Sequence, residues 1–265
     1  MISDKSVLCA YIVTGTTRGI GKALAEEIVH RGQLLFSISR APESLEPGRQ
    51  NFHCDLSSAG QVDRTVARLA QTIPYPSIRR LVLINNAGVL RPIGALDGWD
   101  QGQIATFMQV NLVAPTFLMA AFVRMSDACR GKRGIINISS GAAHHPYAGW
   151  SLYCASKAAL EMVGACADRE QRERDHPVYI SAVAPGIVET GMQEEIRQSN
   201  ERDFPLRSKF VKMREEGRLS TATQVAKVLL DLDAAGQFEP GGIYDLRDVV
   251  WNDGKPAIAQ RSGMK

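Results

Sequence analysis

Residues 7–39 of this chain read VLCAYIVTGTTRGIGKALAEEIVHRGQLLFSIS. The apolar run at 7–13 is followed by a glycine-rich turn at 14–21, an amphipathic stretch at 19–31 and a second apolar run at 33–39. This order predicts a strand, a tight turn, a helix and a second strand.

The same alternation continues to the end of the chain. Further strands are predicted at the apolar runs 51–54, 80–84, 134–139, 178–184 and 242–246. Helices are predicted at the amphipathic stretches 59–71, 102–129, 152–174 and 221–232. Because continuous runs of Val, Ile and Leu suit a parallel sheet buried on both faces, we expect an α/β fold with a doubly wound parallel sheet flanked by helices.

No linker rich in Pro, Gly or Ser divides the chain, so residues 1–265 are predicted to form a single domain. The stretch at about 187–220 does not fit the alternating pattern and carries many charges. We expect it to form a small helical flap over a substrate.

Composition narrows the classes of function. The chain has 265 residues, 45% hydrophobic and 22% charged, with a net charge of +3, and this slight excess predicts no nucleic-acid partner. Five cysteines without C-x-x-C spacing argue against a disulfide framework and a zinc site. By inspection, no stretch approaches the ~18 apolar residues of a membrane span and no apolar signal core follows the N-terminus, so we expect a cytoplasmic protein without a membrane partner.

The glycine-rich turn predicts a dinucleotide site, since glycines let the backbone approach a pyrophosphate at the helix N-terminus. It is not a P-loop, because Thr16 and Ala23 stand where that motif requires Gly and Ser or Thr. Ser39 and Arg40 end the second predicted strand, where a carboxylate would hold the ribose of NAD. Arg40, helped by Arg18, can bind a 2′-phosphate and Ser39 offers a hydroxyl donor, so we expect NADP(H); the alternative is that both arginines point into solvent.

A second pattern predicts a proton-transfer site. Tyr153 and Lys157 lie four residues apart, on one face of a predicted helix. A neighbouring ammonium favours phenolate and lowers the phenol pKa from ~10. The hydroxyl of Ser140 could hold a substrate carbonyl oxygen against the phenol. The alternative is an ordinary solvated helix face.

Taken together, the motifs resemble those of the short-chain dehydrogenase/reductases over essentially the whole chain. In chain order they are Thr14-Gly-x-x-x-Gly19-x-Gly21, Asp55, Asn85-Asn86-Ala87-Gly88, Asn111, Ser140, Tyr153-x-x-x-Lys157 and Pro185-Gly186-x-x-x-Thr190. The runs 84–93, 185–190, 217–219 and 238–241 are most similar to the sepiapterin reductase and bacterial benzil reductase branch. The resemblance implies a Rossmann-type fold.

The resemblance also implies catalytic roles. Tyr153 would protonate the nascent alkoxide, while Lys157 would lower the tyrosine pKa and bind the nicotinamide ribose. Ser140 would orient the carbonyl, and Asn111 would hold a water in a proton relay behind Lys157. Ser139 is the rival for the serine role, but Ser140 has the family's usual spacing of 13 residues before Tyr153.

A cofactor-binding set follows from the same resemblance. Its members are Gly15, Thr17, Arg18, Gly19, Ile20, Gly21, Ser39, Arg40, Asp55, Leu56, Asn86, Ala87, Gly88, Tyr153, Lys157, Pro185, Gly186, Ile187, Val188 and Thr190. Asp55 would hold the adenine edge, with a helix cap as the alternative. Thr190 would bind the carboxamide, and an ordinary strand-end turn is the alternative for Pro185 and Gly186.

Substrate contacts are predicted for Ser140, Trp150, Tyr153, Met192 and Asp245. Trp150, with Pro146 and Tyr147, could wall an apolar or aromatic pocket and Met192 could be an adaptable contact on the flap, although plain packing is an equal alternative for each. Asp245 occupies the position most similar to the carboxylate that anchors the pterin ring in sepiapterin reductases; the alternative is a surface aspartate. The adjacent histidines His144 and His145 could bind a metal ion, but no third metal ligand lies at a suitable spacing in the sequence. No metal site is therefore predicted.

The sequence therefore predicts an NADPH-dependent oxidoreductase that reduces a small-molecule carbonyl, a ketone or diketone of benzil or sepiapterin type. One alternative is a 3-oxoacyl or hydroxysteroid reductase of the same family, and another is a non-catalytic NADP(H)-sensing regulator. The long predicted helices at 102–129 and 152–174 suggest a homodimer or homotetramer.

Overall fold

The computed structural model describes residues 8–252 and 255–258; Val7, where the first predicted strand begins, lies outside them. The strands are β1 (Cys9–Thr14), β2 (Leu34–Ser39), β3 (Ser44–Glu46), β4 (Arg49–His53), β5 (Arg80–Asn85), β6 (Lys132–Ile138), β7 (Val178–Ala184), β8 (Val188–Glu189), β9 (Ser220–Thr221), β10 (Ile243–Asp245), β11 (Val249–Asn252) and β12 (Lys255–Ile258). The helices are α1 (Gly19–His30), α2 (Ala59–Thr72), α3 (Gln101–Met108), α4 (Ala114–Met125), α5 (Ser151–Gln171), α6 (Gly191–Arg197), α7 (Arg207–Glu215) and α8 (Ala222–Ala234).

The main sheet has eight strands in the order β10-β7-β6-β5-β1-β2-β4-β3. Neighbouring strands are parallel except β3 and β4, which form an antiparallel edge. The chain steps outward from β1 to β2 and β4, then returns to the other side of β1 at β5. The strand order thus reverses between β1 and β5, where open α/β sheets bind ligands beyond the carboxyl ends of their strands. The predicted doubly wound fold is confirmed.

Apolar side chains cover both faces of this sheet. Along β1, Ala10 and Ile12 belong to one buried cluster, whereas Tyr11 and Val13 belong to another on the opposite face. The first cluster includes residues of α2, α4 and α5, and the second includes residues of α1 and α8. Burial on both sides explains why the strand sequences read as continuous apolar runs rather than as alternating ones.

The helix predicted at 102–129 is interrupted. It consists of α3, a π-helical turn at Gln109–Val113 and α4, and Asn111 lies within the π turn. Such turns concentrate at functional sites. The expectation that no segment has the length and apolarity of a membrane span is wrong, because an 18-residue window within the 28-residue run Gln101–Ala128 has a mean hydropathy of 1.5. In the structure this run contributes Leu118 and Phe122 to the core against the sheet.

The segment at 187–220 contains β8, α6, α7 and β9, and it packs against the start of α5. Phe204 is fully buried and stacks on Trp150, with ring centroids 4.5 Å apart. Gly149 has a φ of +84°, and a Cβ at this position would overlap the carbonyl oxygen of Asp203. The flap therefore packs directly on Trp150, the residue that precedes α5.

A buried carboxylate joins α8 to the sheet. Asp233 accepts a hydrogen bond of 2.8 Å from the hydroxyl of Tyr11 on β1 and pairs with the guanidinium of Arg80 on β5. Asp233 is 4% exposed, and burial raises its pKa. Both partners are needed because a buried charge is costly unless it is paired and hydrogen-bonded.

Tyr11→Phe should lower the free energy of unfolding by about 1.5–3 kcal/mol, the usual contribution of a hydrogen bond to a charged group. Equilibrium urea unfolding measures this change. Tyr179→Phe is the matched control, because Tyr179 lies on β7 and is 41% exposed. Equal losses in the two variants would contradict the role assigned to Asp233.

Candidate active site

Two adjacent cavities open at the carboxyl ends of the parallel strands. The narrow cleft, of about 240 Å³, lies among the loops that follow β1, β2, β4 and β5. The wide cavity, of about 870 Å³, lies between the loop after β6, the start of α5 and the flap. Six residues line both: Ile20, Ser139, Tyr153, Pro185, Thr190 and Met192. The two spaces therefore meet at the phenol of Tyr153.

Most of the predicted cofactor set lies in the narrow cleft. The residues found there are Gly15, Thr17, Arg18, Gly19, Ile20, Ser39, Arg40, Asp55, Leu56, Asn86, Ala87, Gly88, Tyr153, Lys157, Pro185 and Thr190. Gly186, Ile187 and Val188 instead line the wide cavity, and Gly21 lines neither. A Cβ on Gly19 would lie 3.3 Å from Thr190 Cγ2, so distant parts of the chain converge here.

Thr14 and Asn86 hold the two sides of the cleft together. The Thr14 hydroxyl accepts from the backbone N–H of Asn86 at 3.0 Å and of Ala87 at 2.9 Å. The carboxamide of Asn86 donates to the carbonyl oxygens of Thr14 at 2.9 Å and Gly15 at 3.3 Å. A Cβ on Gly21 would overlap Gly15 and the Asn86 carboxamide, so Gly21 is required by packing of the protein itself.

The charged groups of the cleft are arranged around its outer end. Arg18 and Arg40 both line it, and Arg18 lies 3.6 Å from Glu195 while its side chain remains 66% exposed. The Ser39 hydroxyl donates to Asn51 Oδ1 at 2.8 Å, so the donor expected for a phosphate is already used within the protein. This differs from the sequence prediction because β4 brings a buried amide beside the end of β2.

Asp55 also lines the cleft, and its carboxylate is engaged locally. It accepts hydrogen bonds from the backbone N–H of Ser57 at 2.9 Å and from its hydroxyl at 2.8 Å. The backbone bond of Ser57 is the main cause of the lowered pKa of Asp55. The carboxylate thus stabilises the turn before α2, while its position in the cleft remains compatible with the predicted adenine contact.

Tyr153 lies in the first turn of α5 and is 8% exposed. Burial raises its pKa, and a hydrogen bond with the side chain of Ser140 opposes that rise. The sequence analysis expects Lys157 to lower this pKa, but the ammonium lies 5.9 Å from the phenol ring centroid and donates elsewhere. The phenol of the free protein therefore holds its proton at neutral pH.

The two candidate serines face different partners. Ser140 lines the wide cavity, and its hydroxyl oxygen accepts from the backbone N–H of Ala142 at 3.2 Å. Ser139 donates its hydroxyl hydrogen to the buried carboxylate of Glu161. The Ser140 side chain lowers the pKa of Tyr153, whereas the Ser139 hydroxyl is occupied by Glu161, so Ser140 is favoured over Ser139 for holding a carbonyl oxygen.

Lys157 is buried one helical turn after Tyr153. Its Nζ donates to the carbonyl oxygen of Ile138 at 2.7 Å. Burial lowers the pKa of Lys157 from 10.5 to about 8, and the charge of Glu161 opposes this change. Glu161 also lies 3.1 Å from His144 Nε2. The charged form of Lys157 is therefore supported by the buried carboxylate of Glu161, one further turn along the same helix.

Asn111 is fixed by the residue that follows the motif after β5. Its Oδ1 accepts from the backbone N–H of Val89, and its Nδ2 donates to the Val89 carbonyl oxygen, both at 2.8 Å. A Cβ on Gly88 would lie 3.4 Å from Asn111 Oδ1 and 3.9 Å from Lys157 Nζ. Glycine thus leaves open the space between Asn111 and Lys157, where the sequence analysis predicts a bridging water.

The predicted substrate residues are only partly brought together. Ser140, Trp150, Tyr153 and Met192 line the wide cavity, whereas Asp245 does not. The carboxylate of Asp245 is bonded to Arg247, which does line the cavity. The turn after β10 places Arg247, and not Asp245, at the cavity. The role of Asp245 in the structure is therefore to orient Arg247.

Sequence reasoning missed two charged residues of the site. Glu161 could have been found, because it follows Lys157 by four residues and Tyr153 by eight, on one face of α5. Arg247 has no such signal, since the turn that carries it to the cavity is defined only by tertiary contacts. A Cβ on Gly186 would lie 3.1 Å from Arg247 Cγ.

Comparisons with known proteins agree with this geometry. A family model described as short chain dehydrogenase matches residues 10–201. Benzil reductase ((S)-benzoin forming) of Bacillus subtilis (strain 168) is 34% identical over 241 residues, covering 91% of this chain and 99% of that protein. Sepiapterin reductase of Xenopus laevis is 32% identical over 264 residues, covering 92% and 96%. The solved structure "ElxO with NADP Bound" has a TM-score of 0.70 and 25% identity, and the match covers 90% of this chain and 96% of that one. The resemblance inferred from the motifs is confirmed.

The buried Lys157 predicts a pH-dependent stability in the protein without cofactor. Between pH 8 and 10.5 the unfolded chain binds more protons than the folded one, so stability should rise with pH in that window. The cost of burying the charge is fully present below pH 8. Lys157→Met should therefore gain stability relative to the parent at pH 7, and this gain should shrink towards pH 10. Urea unfolding at each pH measures it.

Lys227→Met serves as the matched control, because Lys227 is an exposed residue of α8. Its stability difference from the parent should stay constant with pH. A constant difference for Lys157→Met as well would show that the folded protein does not shift the titration of Lys157.

Proposed function

The chain belongs to the short chain dehydrogenase family of oxidoreductases, and from this premise we propose that it is an NADPH-dependent carbonyl reductase. The observation that carries the proposal is the position of Tyr153. Tyr153 lines both the narrow cleft and the wide cavity, and the side chain of Ser140, which lines the wide cavity, opposes the rise in its pKa. A proton donor at that junction serves a reaction in which one compartment holds a reductant and the other an acceptor.

The relatives support a carbonyl as the acceptor. Benzil reductase ((S)-benzoin forming) and sepiapterin reductase are both named for the reduction of carbonyl compounds, and each match spans over 90% of this chain. The wide cavity has an aromatic wall suited to such molecules, since Trp150 packs with Tyr147 and Phe210 at centroid distances of 5.5 and 5.7 Å. A ketone or diketone with an aromatic framework is therefore the substrate class that we infer.

The narrow cleft fits a dinucleotide. Gly15 and Gly19 have φ values of +75° and +56°, and the absence of side chains exposes backbone at the N-terminus of α1. Arg18 and Arg40 would hold a 2′-phosphate at the outer end, and Lys157 lies at the inner end beside Tyr153. The likeness to a structure with NADP bound supports the same choice. When bound, NADPH supplies a hydride, that is, a hydrogen with two electrons.

The protein's own residues then complete the reduction. Ser140 would hold the carbonyl oxygen beside the phenol, and Tyr153 would give that oxygen its proton as the carbon gains a hydride. The ketone would thus become a secondary alcohol and Tyr153 would be left as a phenolate, while Lys157 Nζ lies 5.9 Å from the ring centroid and donates to the Ile138 carbonyl oxygen. Because burial keeps the phenol protonated beforehand, the resting protein is prepared for the reductive direction.

Two further features of the proposal concern the protein's setting. All five cysteines are free, which supports our expectation of the cytoplasm. Val113 and Met162 are 49% and 66% exposed on the two longest helical runs. Apolar side chains at such positions support assembly into a homodimer or homotetramer through these helices.

Tyr153→Phe should lower kcat/KM by ~10²–10⁴ on any accepted carbonyl, since a positioned general acid contributes about this factor. The oxidation of NADPH is followed by the loss of its absorbance, with benzil, sepiapterin and simple diketones as substrates. NADPH affinity should change little, because the ring remains in place. Tyr179→Phe, on an exposed position of β7, should keep parental activity.

Full activity of Tyr153→Phe would remove the proton-donor role. Tight NADPH binding by the parent with no turnover of any carbonyl would instead favour the non-catalytic regulator. These two outcomes are separated by measuring NADPH affinity by fluorescence alongside each assay.

Arg40→Ala should weaken NADPH about 10- to 100-fold and leave NADH nearly unchanged, because only the phosphate ester loses a charge-assisted bond. KM values for both cofactors measure this preference. Lys22→Ala is the control, since Lys22 lies in the same region, pairs with Glu26 at 3.7 Å and does not line the cleft. An equal effect of Arg40→Ala on both cofactors would contradict phosphate recognition.

A further inference from the structure

The wide cavity is lined by two chemically different sets of residues. The aromatic set contains Trp150 with its ring neighbours, and Trp150 lies beside Tyr153 at a centroid distance of 5.5 Å. The charged set has four basic residues and one acidic residue, Glu216. The basic residues are Lys209, Lys212, Arg218 and Arg247. Glu216 is shared, since it lies 3.8 Å from Lys212 and 3.3 Å from Arg218. The cavity therefore presents an excess of positive charge to a ligand.

Among the basic residues of this set, Arg247 lies beside the loop that carries Ser140. A Cβ on Gly141 would lie 3.7 Å from Arg247 Nη2, and Gly141 directly follows Ser140. A Cβ on Gly186 would lie 3.1 Å from Arg247 Cγ. The arginine thus lies across two glycines that leave room for it. Its guanidinium is placed beside the loop that would hold the carbonyl oxygen.

Asp245 fixes the direction of this guanidinium. Its carboxylate accepts from Arg247 Nε at 2.9 and 3.0 Å, from Arg247 Nη2, and from the Arg247 backbone N–H at 2.9 Å. The side chain of Asp245 is 13% exposed, whereas that of Arg247 is 63% exposed. A ligand in the cavity therefore meets the arginine rather than the aspartate, and a cationic ligand group would be repelled.

We propose that the substrate is an aromatic ketone carrying a carboxylate, whose ring packs on the Trp150 side and whose carboxylate pairs with Arg247. This inference rests on the proposed carbonyl reduction and specifies its substrate class. The Nε edge of the Arg247 guanidinium is bonded to Asp245, so a ligand carboxylate would pair with the remaining Nη hydrogens. Lys209 also lines the cavity and adds a second positive charge.

Three phenyl ketones separate charge from shape: benzoylformate, which carries a carboxylate next to its ketone, its neutral methyl ester, and benzil. Calorimetry measures their binding to the parent, Arg247→Met, Arg247→Lys and Lys227→Met, each with and without NADP⁺. We expect Arg247→Met to weaken benzoylformate about 10-fold and the ester less than about 2-fold, as for one partly exposed charged contact. Arg247→Lys should retain most of the affinity, and Lys227→Met all of it.

Rising ionic strength should weaken benzoylformate and not the ester, because screening acts on the charge alone. Equal binding of benzoylformate to the parent and Arg247→Met would overturn the inference, as would equal losses for benzoylformate and the ester. NADPH oxidation with the same ketones tests the proposed function separately. Absence of turnover with charge-dependent binding would reject the reductase and support the anion site, whereas turnover without charge dependence would do the reverse.

Discussion

The hydrogen bonds between Thr14 and Asn86 are the constraint on which the site depends. They tie the end of β1 to the loop after β5, where the strand order reverses. The connections after β1 and β5 leave in opposite directions at this point, so a gap lies between the two loops. The bonds between Thr14 and Asn86 hold the two edges of that gap together. Gly15 and Gly21 follow from the same constraint, because side chains there would displace the Asn86 carboxamide. The glycine-rich turn is therefore a requirement of the fold before it is a feature of any binding site.

Helix α5 carries the groups of the proposed proton transfer on a single face. Tyr153, Lys157 and Glu161 occupy successive turns, and each is less than a tenth exposed. Burial acts oppositely on the first two groups: it favours the neutral phenol and the neutral amine, so the pKa of Tyr153 rises and that of Lys157 falls. Glu161 offsets the effect on the amine. The helix thus holds the neutral phenol of Tyr153 beside Lys157, whose positive charge is favoured by Glu161.

The sequence predicted the elements and their order better than it predicted side-chain partners. Continuous apolar runs and glycine turns are local signals, and they led to the doubly wound sheet and to most of the residues lining the narrow cleft. Ser39 bonds to Asn51, which strand pairing places beside it, and Asp245 bonds to Arg247, which a turn after β10 places beside it. Neither partner is visible from the local sequence. The π turn around Asn111 also has no local signal, since its residues suit an ordinary helix. Tertiary contacts decided each of these features.

The seating of Phe204 on Trp150 has a consequence for how this protein can diversify. The ring stack attaches the flap to the residue before α5 and leaves the sheet and the narrow cleft untouched. Residues of α7 line the wide cavity and none of them lines the narrow cleft, so substitutions on this helix can change one space while the other keeps its lining. Phe204 is the exception within the flap, because the Trp150 ring on which it stacks also packs on Tyr153 at 5.5 Å.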